Sequence, residues 1–493
     1  MTDLFNESLV KKIQDAIDHH LTDSDQETNN TTHLIASFIE QLSQLKQTQD
    51  DIQSIVDLII NQLPKCLETL SQKHHQHSVK NQFIYVYFAQ FLQDALSVKW
   101  DKIQPLQSDD AIPFETLSSE KTYYQLGTDN LKQCAVIKLN GGLGTSMGCV
   151  GPKSGIRIFD EHTFLDIIAK QIDQYRQSTN TDIPLLFMNS FNTTEETKAI
   201  LEGKIDYQEF LQHQFPKLTP EYGPFENPED TNQEWNPPGH GDIYLSLYVS
   251  GQLDRLLDSG IEYAFISNSD NLGASLDPNI LGYMISTQKE FLMETTPKTL
   301  SDVKGGTLVR YEGQLMLLER AQVPEENLSD FEDIKTFTVF NTNNIWVNLR
   351  ALKEKITTNA LQLPVIINKK KVNERPVIQL ETAMGAAIGQ FSNSGSVIVP
   401  RHRFLPVKKT SDLLILQSDL VDKSDICDLK YHENCQKNGI PKIQFEGPLT
   451  QIEHYEKAMQ VVPSLKTLKE LTVKGAISFL EPQELSGSVT LES

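Results

Sequence analysis

"VIKLNGGLGTSMGCVGPKS", residues 136–154, is the stretch from which the fold is read. A strand-compatible run, AVIKL, passes straight into a loop with glycines at 141, 142, 144, 148 and 151, one proline and one lysine. Successive glycines let backbone N–H groups approach an anion or a flat base closely. Two familiar phosphate-binding templates do not fit. Gly142, Gly144 and Gly148 give GxGxxxG, one residue longer than the dinucleotide fingerprint. In GCVGPKS, Pro152 separates Gly151 from Lys153, where a P-loop needs Gly and Lys adjacent, and proline also removes a backbone donor. Spacing alone leaves a structural turn and an anion site equally open. Lys153, fixed in a rigid loop, tilts the reading toward an anion.

Outward from this loop, strand-like runs alternate with helical stretches: CAVIKL, IPLLFM, EYAFIS, KTFTVFNTNNIWVNL and GSVIVP. That alternation predicts an α/β fold with a mainly parallel sheet, whose ligands sit beyond the carboxyl ends of the strands. A chain of 493 residues is too long for one ordinary core. Three parts are expected, at 1–112, 113–428 and 429–493. The first has no glycine and places Ile13, Ile17 and Leu21, then Ile52, Ile55, Val56 and Ile59, at helical spacing. Its His74, His75 and His77 read as a solvated interhelical loop. The last part holds spaced β-runs, LTVKGAISFL and LSGSVTLES, that predict a small appended β domain.

The formal charge of -22 argues against non-specific binding to nucleic acid or an anionic membrane. An anionic small substrate needs only local cations. Five scattered cysteines with no CxxC pair are those of free thiols in a reducing compartment. Cys427, His432 and Cys435 lack an evident fourth zinc ligand. The opening MTDLFNESLVKK has no apolar signal core, so a cytoplasmic location is expected.

LNGGLGTSMGCVGPKS resembles the signature loop of the eukaryotic-type UDP-glucose pyrophosphorylases. The resemblance recurs in order at PLLFMNSFNT, NPPGHGDIY, FISNSDNLGA, TPKTLSDVKGGTL, FNTNNIWVNL, VIQLETAMGAAI and RFLPVKKTSDLLILQSDL, and is dense over about residues 120–425. It implies a nucleotidyltransferase α/β core (GT-A/Rossmann-like) between an N-terminal helical region and a C-terminal parallel β-helix. Here the β-helix reads as truncated, so monomer or dimer is expected. The implied reaction is MgUTP plus glucose 1-phosphate giving UDP-glucose and pyrophosphate. The sugar phosphate itself attacks the α-phosphorus, so catalysis is positioning and charge neutralisation.

By the same resemblance, Lys153 contacts the UTP phosphates and Lys408 the phosphates of substrate and product, with Lys409 turned away. Asp270 would hold Mg2+, since magnesium commonly takes one or two carboxylates plus phosphate oxygens; an Asx turn is the plainer alternative. Leu139, Asn140, Gly141 and Gly142 match the base-binding edge. Gln212 matches a uracil-reading glutamine, with Gln214 as alternative, because His213 stands where a serine is common. His240 would touch the sugar phosphate and Gly241 lie near the base. Asn268, Gly306, Glu319, Asn341 and Asn343 match hydroxyl-binding positions, although NTNN also reads as a polar turn. Competing functions are a pyrophosphorylase for another sugar 1-phosphate, a non-catalytic sugar-nucleotide-binding subunit and a P-loop NTPase.

Overall fold

The AVIKL run forms the middle of a strand in which all seven residues are buried, as befits a parallel strand covered on both faces. It belongs to an eight-stranded sheet. In chain order its strands are β1 (Ala111–Pro113), β2 (Cys134–Asn140), β3 (Leu185–Asn189), β4 (Gln208–Leu211), β5 (Tyr263–Asn268), β6 (Phe291–Pro297), β7 (Val339–Asn348) and β8 (Ser394–Ile398). Across the sheet they run β1-β8-β6-β7-β5-β2-β3-β4. β7 is antiparallel to both its neighbours and the other pairings are parallel. The structure, a computed structural model, describes residues 2–21, 25–45, 48–92, 98–149, 151–159, 161–299 and 302–493.

The sheet's register positions the site. Leu139 on β2 lies opposite Asn268 on β5, so the loops leaving these two strands start side by side. Because β7 is antiparallel, its amino end meets the carboxyl ends of its neighbours. There the pairing with β6 slips between Glu294 and Thr295, leaving Thr342 and Asn343 without counterparts in a bulge. NTNN is therefore part of a strand rather than a turn before one.

Among the described residues, the N-terminal part forms the α-helices α1 (Thr2–Ile17), α2 (Asp25–Leu45), α3 (Gln49–Ser71) and α4 (His77–Ala89). Thr48 caps α3 by accepting the Asp51 N–H. The expected stripes are buried at Ile13, Ile17, Ile52, Val56 and Ile59, while Leu21 and Ile55 are only half-buried. The helices share one apolar cluster with Phe215, Leu218, Trp235, Ile378 and Leu380 of the α/β part. The histidine run is not a solvated loop. His77 is buried at the start of α4, His74 packs edge-on to His213 at 5.1 Å between ring centroids, and His75 alone is exposed. Both inward histidines meet partners from distant segments, His77 with Thr31 Oγ1 (3.1 Å) and His74 with the Gln214 N–H (3.0 Å), which the local sequence QKHHQH does not advertise.

At the other end, β9 (Lys442–Glu446), β10 (Ser464–Lys474) and β11 (Glu484–Glu492) pair in parallel. A single apolar cluster runs from Leu117 through the sheet to Leu465, Leu471 and Leu485, so these strands share the α/β core. All five cysteines are free thiols. Among the described residues no three metal-ligating side chains converge, and no helix is long and apolar enough to cross a membrane.

Candidate active site

The glycine loop leaves β2 and doubles back on itself. The Lys153 N–H donates to Gly142 O (3.3 Å), and Leu143 bridges Pro152. Asn140 is the knot at its base. Its amide donates to Asn189 Oδ1 (2.8 Å) and Thr197 Oγ1 (2.9 Å), and its oxygen accepts from Ser154 and from Ser269 Oγ (3.0 Å). With two donors and two acceptor bonds in use, the buried side chain shapes the loop and has no capacity left for a ligand. Asn140 thus supports the glycine loop from beneath. Gly142 is exposed, and a Cβ there would meet nothing within 4 Å.

Beside it, the Lys153 ammonium pairs with the Asp270 carboxylate, and the two side chains are 18% and 17% exposed. The turn after β5 is closed by its main chain, Asn271 N–H to Asn268 O (3.2 Å). Asp270 is turned to the lysine, so the Asx-turn reading does not describe it. Lys408 arrives from the other side. Its N–H and that of Lys409 both donate to Asp412 Oδ2, at 2.7 and 2.9 Å, and its carbonyl accepts from Ser146 Oγ of the glycine loop (3.3 Å).

Lys408 also lies close enough to act on two further groups. Burial pushes the His240 pKa down to about 4, and the Lys408 ammonium pushes the same way. His240 is therefore a neutral imidazole. Its Nδ1 accepts the Met384 N–H (3.1 Å), which assigns the proton to Nε2 as a donor. Burial raises the Glu319 carboxyl above its ordinary value, and Lys408 opposes that shift.

Glu319 closes over Gly306: a Cβ on that glycine would lie 2.6 Å from Oε1, so a side chain there would push the Glu319 carboxylate aside. Asn341 N–H donates to Gly306 O (3.0 Å). Asn341 and Asn343 hold each other through Nδ2 to Oδ1 and N–H to Oδ1, both 2.9 Å, with Asn343 at φ 60°. These residues form one polar corner on the bulge of β7. Asn268, half-buried at the end of β5, borders it.

On the far side of the glycine loop, Gln212 is buried with its Oε1 2.6 Å from where a Gly141 Cβ would stand, while its Nε2 donates to Gly239 O (2.8 Å). Gln214 instead bonds through its backbone to His74 (3.0 Å), which singles out Gln212 as the glutamine at the loop. Gly241 is buried against Thr382 and Leu363.

The sequence reading missed the supports. Lys138, inside the opening motif, is buried and donates to Ser267 Oγ (2.8 Å) and Ala274 O (2.7 Å). Burial, aided by Arg403 and opposed by Glu294, pushes its pKa down to about 7. Arg403 forks onto buried Glu294 at 2.9 and 2.6 Å and donates to Ser275 O (2.8 Å). Asn271 accepts the Leu405 N–H (2.8 Å) and donates to Arg403 O (3.1 Å). The Asp270 loop is thereby tied to the chain leading into Lys408. The available signal was a lysine at an inward position of a wholly buried strand.

A sheet whose carboxyl edge gathers a glycine loop, two lysines and a carboxylate defines a nucleotide-binding α/β transferase fold. A family model described as UTP–glucose-1-phosphate uridylyltransferase matches residues 81–485. The UTP–glucose-1-phosphate uridylyltransferase of Musa acuminata is 43% identical over 418 residues, covering 84% of this chain and 89% of that protein. That of Saccharomyces cerevisiae is 42% identical over 408 residues, 80% of each. Among solved structures, a UDP-glucose phosphorylase from Trypanosoma brucei superposes with a TM-score of 0.76 at 38% identity, covering 88% of this chain and 95% of that one. A Leishmania major UDP-glucose pyrophosphorylase in complex with UDP-glucose gives 0.77 at 35% identity, covering 87% and 94%. The chain belongs to the UTP–glucose-1-phosphate uridylyltransferase family.

Proposed function

We propose that the chain converts UTP and glucose 1-phosphate into UDP-glucose and pyrophosphate, reversibly. The observation that carries this is the convergence of Lys153–Asp270 with Lys408, neutral His240 and Glu319 around one glycine loop at the sheet's carboxyl edge. Two polyanions that repel one another must meet there, and preorganised cations offset that repulsion in a water-poor cleft. A phosphate oxygen of glucose 1-phosphate forms the new bond to the α-phosphorus of UTP. The bond to the β-phosphate's bridging oxygen breaks, and pyrophosphate leaves with the electron pair. No side chain becomes covalently attached.

Lys153 holds the UTP phosphates, and Lys408 the attacking phosphate, with the Nε2–H of His240 donating to it. Glu319, Asn341 and Asn343 accept and donate to the ring of neutral hydroxyls. Gln212 reads the uracil edge, where its amide can both donate and accept. Asp270 supplies one hard oxygen, which fits a magnesium ion held mainly by UTP phosphates rather than by a protein cage. Bound so, magnesium would neutralise phosphate charge. The reading includes a cytoplasmic monomer or dimer. The test measures pyrophosphate release from UTP with glucose, galactose or N-acetylglucosamine 1-phosphate, and follows the configuration of an α-thio-UTP. Preference for glucose with inversion at phosphorus is expected. Preference for another sugar reassigns the substrate, retention demands a covalent intermediate, and no release at all leaves a binding subunit.

A further inference from the structure

We infer that the N-terminal helical region sets the base site, with His74, His213 and Asp242 acting as positioning residues for Gln212 and hence for UTP. This rests on the reading of Gln212 as the uracil contact. Three consecutive backbone donors where the chain leaves β4 are pinned by three different parts of the molecule. Gln212 N–H donates to Asn189 O of β3 (2.8 Å), His213 N–H to Asp242 Oδ2 (2.8 Å), and Gln214 N–H to His74 Nε2 (3.0 Å). The next residue, Phe215, enters the helical core edge-on to Phe83, 5.3 Å between centroids.

The second tie runs between side chains. The His213 Nδ1–H meets Asp242 Oδ1 at 2.9 Å, and Ser246 Oγ donates to Oδ2 (2.6 Å), with His213 and Asp242 both buried. Asp242 ends the same loop whose Gly239 carbonyl accepts the Gln212 amide. The strand end and the loop bearing His240 therefore hold each other twice. His74 closes the arrangement from outside, its ring edge-on to His213. Burial, with His213 adding to it, holds the His74 pKa down at about 4, and the neutral ring keeps the lone pair that accepts Gln214.

A glutamine side chain carries large rotamer freedom, so reading one edge of a pyrimidine depends on a fixed backbone beneath it. Lys408, Glu319 and Asn341 stand on other segments. Loosening Gln214 at its His74 contact, with the His213–Asp242 tie to the His240 loop left in place, should therefore weaken UTP and leave glucose 1-phosphate alone.

The full chain is tested as His74→Leu, His74→Gln and Gln212→Ala. KM for each substrate, kcat, UTP binding by calorimetry and Tm are measured. His74→Leu removes one acceptor, and is expected to raise both KM and Kd for UTP about 3- to 10-fold, the scale of one hydrogen bond. KM for glucose 1-phosphate and kcat stay within about twofold. His74→Gln presents an amide oxygen to Gln214 and should restore UTP affinity. An unchanged UTP affinity in His74→Leu, while Gln212→Ala is weakened, overturns the inference and leaves the base reading standing. Equal losses for both substrates, with lowered Tm and no rescue by His74→Gln, also overturn it. Unchanged UTP affinity in Gln212→Ala removes the base reading and the inference with it. Should His74→Leu not fold, His74→Ala removes the same acceptor and carries the same expectations.

Discussion

Lys153→Met removes a cation from the cleft while keeping most of the side chain's apolar stem. Two unit charges about 4 Å apart interact by roughly 4 kcal/mol at the effective dielectric of a protein's outer regions. Lys153 and Asp270, 18% and 17% exposed, sit between the screened and dry limits. On the proposed reading, the phosphates of an entering UTP take over as the partner of the ammonium. The loss is then felt where the attacking and leaving oxygens share charge. Removing one preorganised donor from such a site lowers turnover by about 10²- to 10³-fold. Asp270→Asn should also slow turnover, and in addition raise the magnesium concentration giving half-maximal rate. If the two residues act on the same bound triphosphate, the double variant loses less than the sum of the single losses. The assay is pyrophosphate release across a magnesium series, with denaturant unfolding as the check on structure. Turnover in Lys153→Met within about threefold of the parent, fold intact, refutes the charge argument. Unchanged magnesium dependence in Asp270→Asn removes the metal role and leaves the lysine untouched.

Glu294→Leu strands the Arg403 guanidinium and the Trp346 Nε1–H that Glu294 accepts (2.9 Å), and should cost about 3–5 kcal/mol in denaturant unfolding, with Arg403→Met added in the double variant recovering part of it. His74 and His240 both have pKa values lowered to about 4 from 6.5, so between these limits the unfolded chain binds more protons; stability should fall as pH drops from 6.5 toward 4, read as a lower unfolding midpoint at pH 4.5 than at pH 7.

The residues that converge at the glycine loop were legible because they stand at strand ends within short quotable motifs. AVIKLNGGLG predicted both the strand and its glycine exit, and IWVNL predicted a strand whose antiparallel direction only the structure shows. What escaped was contact between distant segments. Lys138 looks like an ordinary polar residue in a strand, yet its partners Ser267 and Ala274 lie on β5 and the loop beyond it. The histidines before α4 read as solvent-facing because polar neighbours surround them in sequence, while His74 spends its lone pair on Gln214, 140 residues away. The composition of NTNN leaves a polar turn open as an alternative. Only the register of β6 against β7 reveals a bulge, and composition carries no register.

The supports also constrain how the site can move. Asn271 sits one residue after Asp270, yet it accepts from Leu405 and bridges Pro406, three and two residues before Lys408. Lys408 in turn holds the glycine loop through Ser146, and Lys153 from that loop holds Asp270. The carboxylate and both lysines are thus linked in a ring of contacts, so displacing the Lys408 segment pulls on the Asp270 loop. The base side has its own closed set, Gln212 with Gly239 and His213 with Asp242, joined to the helices through His74. His240, between Gly239 and Asp242 in the chain and acted on by Lys408, stands where these two sets meet, so a change in either is transmitted to its ring.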